Sequence, residues 1–111
     1  MTDIGGNTIL KLQVKTGKFT LNSIGERIPE LIDYKSLIGF LDLSTGDAKH
    51  TIYNAKIQES DHIFLCNYEE IEYNVNELTA FNNGKKYEII LVDNPMGLNE
   101  HLEIYLRYVG E

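Results

Sequence analysis

HLEIYLRYV, residues 101–109, alternates with a period of two from end to end. Side chains on an extended chain point to opposite faces in turn. Leu102, Ile104, Leu106 and Tyr108 therefore share one face, and His101, Glu103, Tyr105 and Arg107 share the other. That is a strand with one face in a core and one turned to water or a partner. Upstream, LTAFNNGKKYEIILV, residues 78–92, holds two more strand-like runs around Asn83-Gly84. An Asn-Gly pair supplies the positive φ angles of a type I′ turn, so the segment reads as a β-hairpin. Between hairpin and last strand, DNPMGLNE, residues 93–100, mixes turn formers with a proline that has no N–H to donate, and reads as a loop. Asn83, Gly84, Asp93, Asn94 and Pro95 are thus structural turn positions.

Nearer the N-terminus, TILKLQVK alternates over 8–15, and SLIGFLDL, 36–43, is a short apolar run interrupted by Gly39. Periodicity alone leaves that run as strand or buried helix, and its length and glycine favour strand. NSIGERIPE, 22–30, and STGDAKHT, 44–51, are rich in turn formers and read as loops. TIYNAKIQ, 51–58, suits either a single helical turn or the entry to a strand. The expected architecture is all-β: one domain over 1–111, with 1–6 flexible, forming a small antiparallel β-barrel or sandwich with long loops and at most one short helix.

A length of 111 residues suits one modest core. Ten Lys and Arg against seventeen Asp and Glu give a net charge of −7, the wrong sign for gripping phosphates over a broad surface. No run approaches the roughly 20 apolar residues of a membrane-spanning helix, and the start, MTDIGGNT, lacks the pattern of a secretory signal. One cysteine cannot form an internal disulfide, which fits a reducing compartment.

SDHIFLC, residues 60–66, brings an acid, a histidine and that cysteine within seven positions. On a strand, His62 and Cys66 share a face but stand roughly 13 Å apart. Asp61 and His62, as sequence neighbours, are expected on opposite faces, so Asp61 is not expected to orient the imidazole as a triad requires. Cys66 then reads as a buried thiol rather than a nucleophile. His50, His62 and His101 with one Cys have no zinc-ligand spacing, Gly5-Gly6 lacks the following Lys-Ser/Thr of a phosphate loop, and Glu69, Glu70 and Glu72 read as a solvated face. The expectation is no catalytic residue, no metal and no cofactor.

The order of elements carries a resemblance. A GFLDL strand, the polar stretch STGDAKHTIYNAK, the strand in IQESDHIFLCNY, the hairpin NNGKKYEIILVDNP and the final GLNEHLEIYLRYV resemble the small head-closure (head-tail adaptor) proteins of tailed bacteriophages with long non-contractile tails. The matching residues are Gly84, Lys85, Tyr87, Ile89, Val92, Asp93, Asn94, Pro95, Leu102, Glu103 and Ile104, within a match running over about residues 35–109.

The resemblance implies a β-barrel that assembles as a ring, usually a dodecamer, under the portal and adaptor complex of a DNA-filled head, where it docks tail proteins. Its location would be the virion neck, and the host cytoplasm during assembly, with no membrane involved. The loop corresponding to Ser44, Thr45, Gly46, Asp47, Ala48, Lys49, His50, Tyr53 and Lys56 would face the channel and help retain DNA. A channel wall should let DNA pass without specific binding, and an acidic chain suits that. On the polar face of the last strand, Tyr105 and Arg107 are interface candidates, because aromatic and Arg side chains are enriched in contact patches. Two other readings stand beside this one: another neck or tail-completion component, and a monomeric β-barrel binding module.

Overall fold

The computed structural model describes residues 5–43 and 60–110. Six strands account for most of them: β1 (Thr8–Leu21), β2 (Arg27–Leu43), β3 (His62–Asn67), β4 (Leu78–Asn82), β5 (Lys85–Asp93) and β6 (His101–Gly110). All neighbours are antiparallel, and the order β1-β2-β3-β6-β5-β4 closes on itself because β1 also pairs with β4. Of the two expected architectures the protein takes the barrel, though an uneven one.

The core follows from alternation. Leu10, Leu12 and Val14 of β1, Leu37 of β2, Phe64 and Cys66 of β3, Leu78 and Ala80 of β4, Tyr87 and Ile89 of β5, and Leu102, Ile104 and Leu106 of β6 point inward and are buried. Tyr108 continues the inner row of β6 but lies at the barrel's end, where it remains exposed with its ring edge-on to Tyr87 at 5.7 Å. Asn82, also buried, donates to Thr8 Oγ1 at 2.7 Å and to the Ile9 carbonyl at 2.8 Å, which ties the end of β4 to β1. Gly39 leaves no room for a side chain: a Cβ there would lie 2.0 Å from the Leu65 carbonyl oxygen and 2.9 Å from the Phe64 ring.

The expected turns form. Asn83 and Gly84 have φ of 51° and 79°, as a type I′ turn requires. In the 93–100 loop, Asn94 Nδ2 donates to Asn99 Oδ1 at 2.7 Å and Asn94 Oδ1 accepts from the Asn99 amide at 3.1 Å, around a short 3-10 turn over Pro95–Gly97.

The N-terminal half departs from expectation. The segment 22–30 is not a loop throughout: the turn occupies only 22–26, and β2 starts at Arg27 and runs 17 residues, so SLIGFLDL is merely its far end. Pairing between β1 and β2 continues to Leu21 opposite Arg27, well past Val14 opposite Leu78, where β1 leaves β4. The result is a hairpin arm extending beyond the barrel, and the molecule measures 47 × 26 × 23 Å. Pro29 is tolerated in β2 because, among the described residues, β2 has only β1 beside it over this stretch. At the arm's tip Asn22 Oδ1 accepts from the amides of Ile24 and Glu26, at 3.0 and 2.9 Å, and Gly25 supplies a φ of +85°.

A bulge marks the arm's root. Leu12 pairs with Lys35 but Gln13 with Asp33, leaving Tyr34 as the extra residue. Its hydroxyl accepts from the Glu72 amide at 3.0 Å, and its ring meets Tyr73 edge-on at 4.9 Å. Lys35 Nζ donates to the Glu70 carbonyl at 2.7 Å. The bulge thus clips the 68–73 segment over the gap that β2 leaves when it parts from β3.

Candidate functional site

Among the described residues, three places gather polar or exposed apolar side chains: the barrel's end beside His62, the outer wall, and the arm.

At the barrel's end His62 points inward, ring against Tyr87 at 5.2 Å. His62 Nδ1 lies 2.7 Å from Asp61 Oδ1, contrary to the expectation that sequence neighbours would point apart. The reason is that Asp61 precedes the strand, in a bend where alternation does not hold. Asp61 Oδ1 also accepts from the Tyr108 amide at 2.9 Å, so the carboxylate fastens β3 to β6. The pair does not extend to Cys66, which lies further along the strand beyond Phe64. Burial, with Glu69 nearby, pushes the Cys66 thiol up to about 11, so it is neutral at ordinary pH and packed in the core. Leu41, Leu43, Asn82 and Lys85 complete a shallow cavity of about 280 Å³ around His62 and Tyr87. The expected channel-facing residues, Ser44 to Lys56, lie outside the described residues.

The outer wall is built by register. Phe40, Leu65, Glu103 and Asp93 face one another in a row across β2, β3, β6 and β5, and Asp42, Ile63, Tyr105 and Leu91 form the next row. Ile38 continues the first set on β2, opposite Ile9 of β1. Tyr105 Oη donates to Glu103 Oε1 at 3.1 Å, and His101 Nε2 lies 3.3 Å from Glu103 Oε2. Burial and the Glu103 charge push the Tyr105 hydroxyl up to about 12. Burial and Glu103 also raise Asp93, partly offset by His101. Arg107, the other interface candidate, is exposed on the same face of β6 and donates to Glu88 on β5. Both candidates thus face outward, each with an acidic partner.

The arm was not legible as a site. Along it Phe19 stands opposite Pro29, and Leu21 opposite Arg27. Phe19 is half exposed, Leu21 70% and Ile24 76% exposed. Arg27 lies over the Phe19 ring at 5.5 Å. Between the arm's root and the outer faces of β5 and β6 runs a groove of about 630 Å³, whose lining includes Lys15, Leu31, Val75, Ile90, Arg107 and Val109. The alternation of Phe19 and Leu21 before Asn22, and of Arg27 and Ile28 after Gly25, was the available signal. Pro29 and the turn formers around it masked that signal.

Among the described residues no group of three or more His, Cys, Asp and Glu is arranged to hold a metal, and no helix is long and apolar enough to cross a membrane. No family model matches the chain, and no curated protein is significantly similar to it.

Proposed function

We propose that this chain is a structural assembly protein of the head-closure type, a phage or prophage connector that forms a ring beneath portal and adaptor, helps retain packaged DNA and docks the tail. The observation that carries the reading is the arm. A 14-residue and a 17-residue strand run past the barrel they help close, and they and the turn between them display Phe19, Leu21 and Ile24 to solvent. Past Val14 on β1 and before Gly39 on β2, each is paired only with the other among the described residues. Long strand edges with exposed apolar side chains invite pairing and aggregation unless another chain covers them, and exposed apolar patches mark interaction sites.

Further support comes from chain order: β2 ends at Leu43 and β3 begins at His62, and the resemblance has its channel-facing loop between the corresponding strands. A net charge of −7 suits a channel along which a duplex slides without being gripped. A tail-completion role uses the same features and differs only in its neighbours. The test is electron microscopy of DNA-filled heads prepared with and without the protein. Added density at the portal vertex and DNA retained only in its presence are the expected result. Heads that neither gain density nor change their DNA content would sink the reading.

A further inference from the structure

We propose that copies of this chain join head to tail, the arm and groove of one copy gripping the β1–β2–β3 outer wall of the next. The inference rests on reading the chain as a ring-forming assembly protein and specifies the contact that builds the ring.

Two unlike surfaces carry it. In a closed order β1-β2-β3-β6-β5-β4, β2 and β5 are three strands apart in either direction, so they lie on opposite sides of the barrel. The groove belongs to the β5 side. Its lining mixes apolar side chains with polar ones, and its charged residues are Lys15, Lys86, Arg107 and Glu88, three cations to one carboxylate; Arg107 engages Glu88, and Lys15 donates to the Asn76 carbonyl. The arm face continuous with it carries Phe19, Leu21, Pro29 and Leu31, together with Arg27 and Lys15. The β2 side is an apolar wall of Ile9, Ile38, Phe40, Ile63 and Leu65, on which Ile38 is 61% exposed. Asp42 and Glu103 edge this wall toward β3 and β6, while Lys11 stands at the β1 edge.

A partly apolar surface with an excess of cations thus lies by β5, and an apolar surface with an acidic edge lies on β2. Such charge complementarity fixes register and suppresses wrong pairings. The groove beside β5 and the wall on β2 differ, and each can engage a separate neighbour. They make a heterologous contact, which generates a ring when the rotation closes and a filament when it does not.

Two double variants separate the halves. Phe19→Asp with Leu21→Asp spoils the arm and leaves the wall, whereas Ile38→Asp with Phe40→Asp spoils the wall and leaves the arm. All four positions are exposed, and unchanged circular dichroism melts at low concentration would verify the fold. If the aspartates disturb it, threonine replaces them. Sedimentation equilibrium at up to about 1 mM is expected to find wild-type chains associating and each variant alone monomeric. An equimolar mixture should form a dimer that grows no further, since one good arm meets one good wall.

A mixture that stays monomeric overturns the arrangement, as does a wild-type chain monomeric at that concentration. A wall variant that associates like wild type also overturns it, and assigns the wall to another cover, such as residues 44–59 of the same chain. Failure here is distinct from failure of the connector reading. Heads that retain DNA while the mixture fails point to a connector built through another contact. A mixture that succeeds beside indifferent heads points to a self-assembling protein outside the neck.

Discussion

The closed barrel and the projecting arm are made from the same two strands, yet only the barrel has an inside. Along β1, alternation sends Leu10, Leu12 and Val14 into the core, where β2 and β4 flank the strand and the opposite wall covers the side chains. Directly opposite Val14 on β2, Ile32 lies on the same face and stands half in solvent. Alternation assigns a side chain to a face, and only closure of the sheet makes that face a core. The exposed apolar residues of the arm therefore contribute little to the stability of the single chain.

The comparison breaks first if core and arm respond alike to truncation. Phe64 is fully buried between β2 and β6, so Phe64→Ala should cost about 3–5 kcal/mol. In a domain of this size that lowers the melting temperature by about 15 °C or more, and thermal denaturation followed by circular dichroism is the check. Gly39→Ala should come next. Its Cβ would fall 2.0 Å from a backbone oxygen, so β2 must shift against β3, at a cost of about 1–3 kcal/mol from strain. A Gly39→Ala melt indistinguishable from wild type would mean that the wall between β2 and β3 is looser than its geometry implies.

A subtler effect sharpens the same contrast through pH. The Cys66 thiol ionises near 9 in an exposed chain but is held up to about 11 in the barrel. Between those values the unfolded chain carries fewer protons than the folded one, so stability is intact below about pH 9 and falls as pH rises toward 11. Cys66→Ala should flatten the onset of that fall in urea titrations at stepped pH. At the bottom of the scale, Phe19→Ala and Ile24→Ala should alter the stability of the dilute single chain by no more than about 0.5 kcal/mol. Equal losses for Phe19→Ala and Phe64→Ala would show that the arm is packed in solution and that the contrast is false.

The β6 pattern, the Asn83-Gly84 turn and the 93–100 loop were legible because each depends on residues within a few positions of one another. The inward Leu102, Ile104 and Leu106 and the outward Glu103, Tyr105 and Arg107 needed only a period of two. The arm was missed because Pro29 usually argues against a strand, and it is tolerated here because, among the described residues, β2 has only β1 beside it at that point. Asp61 was misjudged for a related reason: the strand that alternation presupposes begins one residue later.

Sequence by itself determined that the chain is all-β, which side chains of each later strand share a face, and that its lone cysteine is buried. Those follow from backbone geometry and local chemistry. Tertiary structure alone decided that β1 also meets β4, which turns six strands into a ring. It also decided that β1 and β2 outrun that ring, and that the groove and the apolar wall stand on opposite sides. Closure is a relation between residues far apart in the chain, Val14 and Leu78 among them. No local period records it, because the pairing free energy depends on which edges meet once the sheet has twisted and coiled.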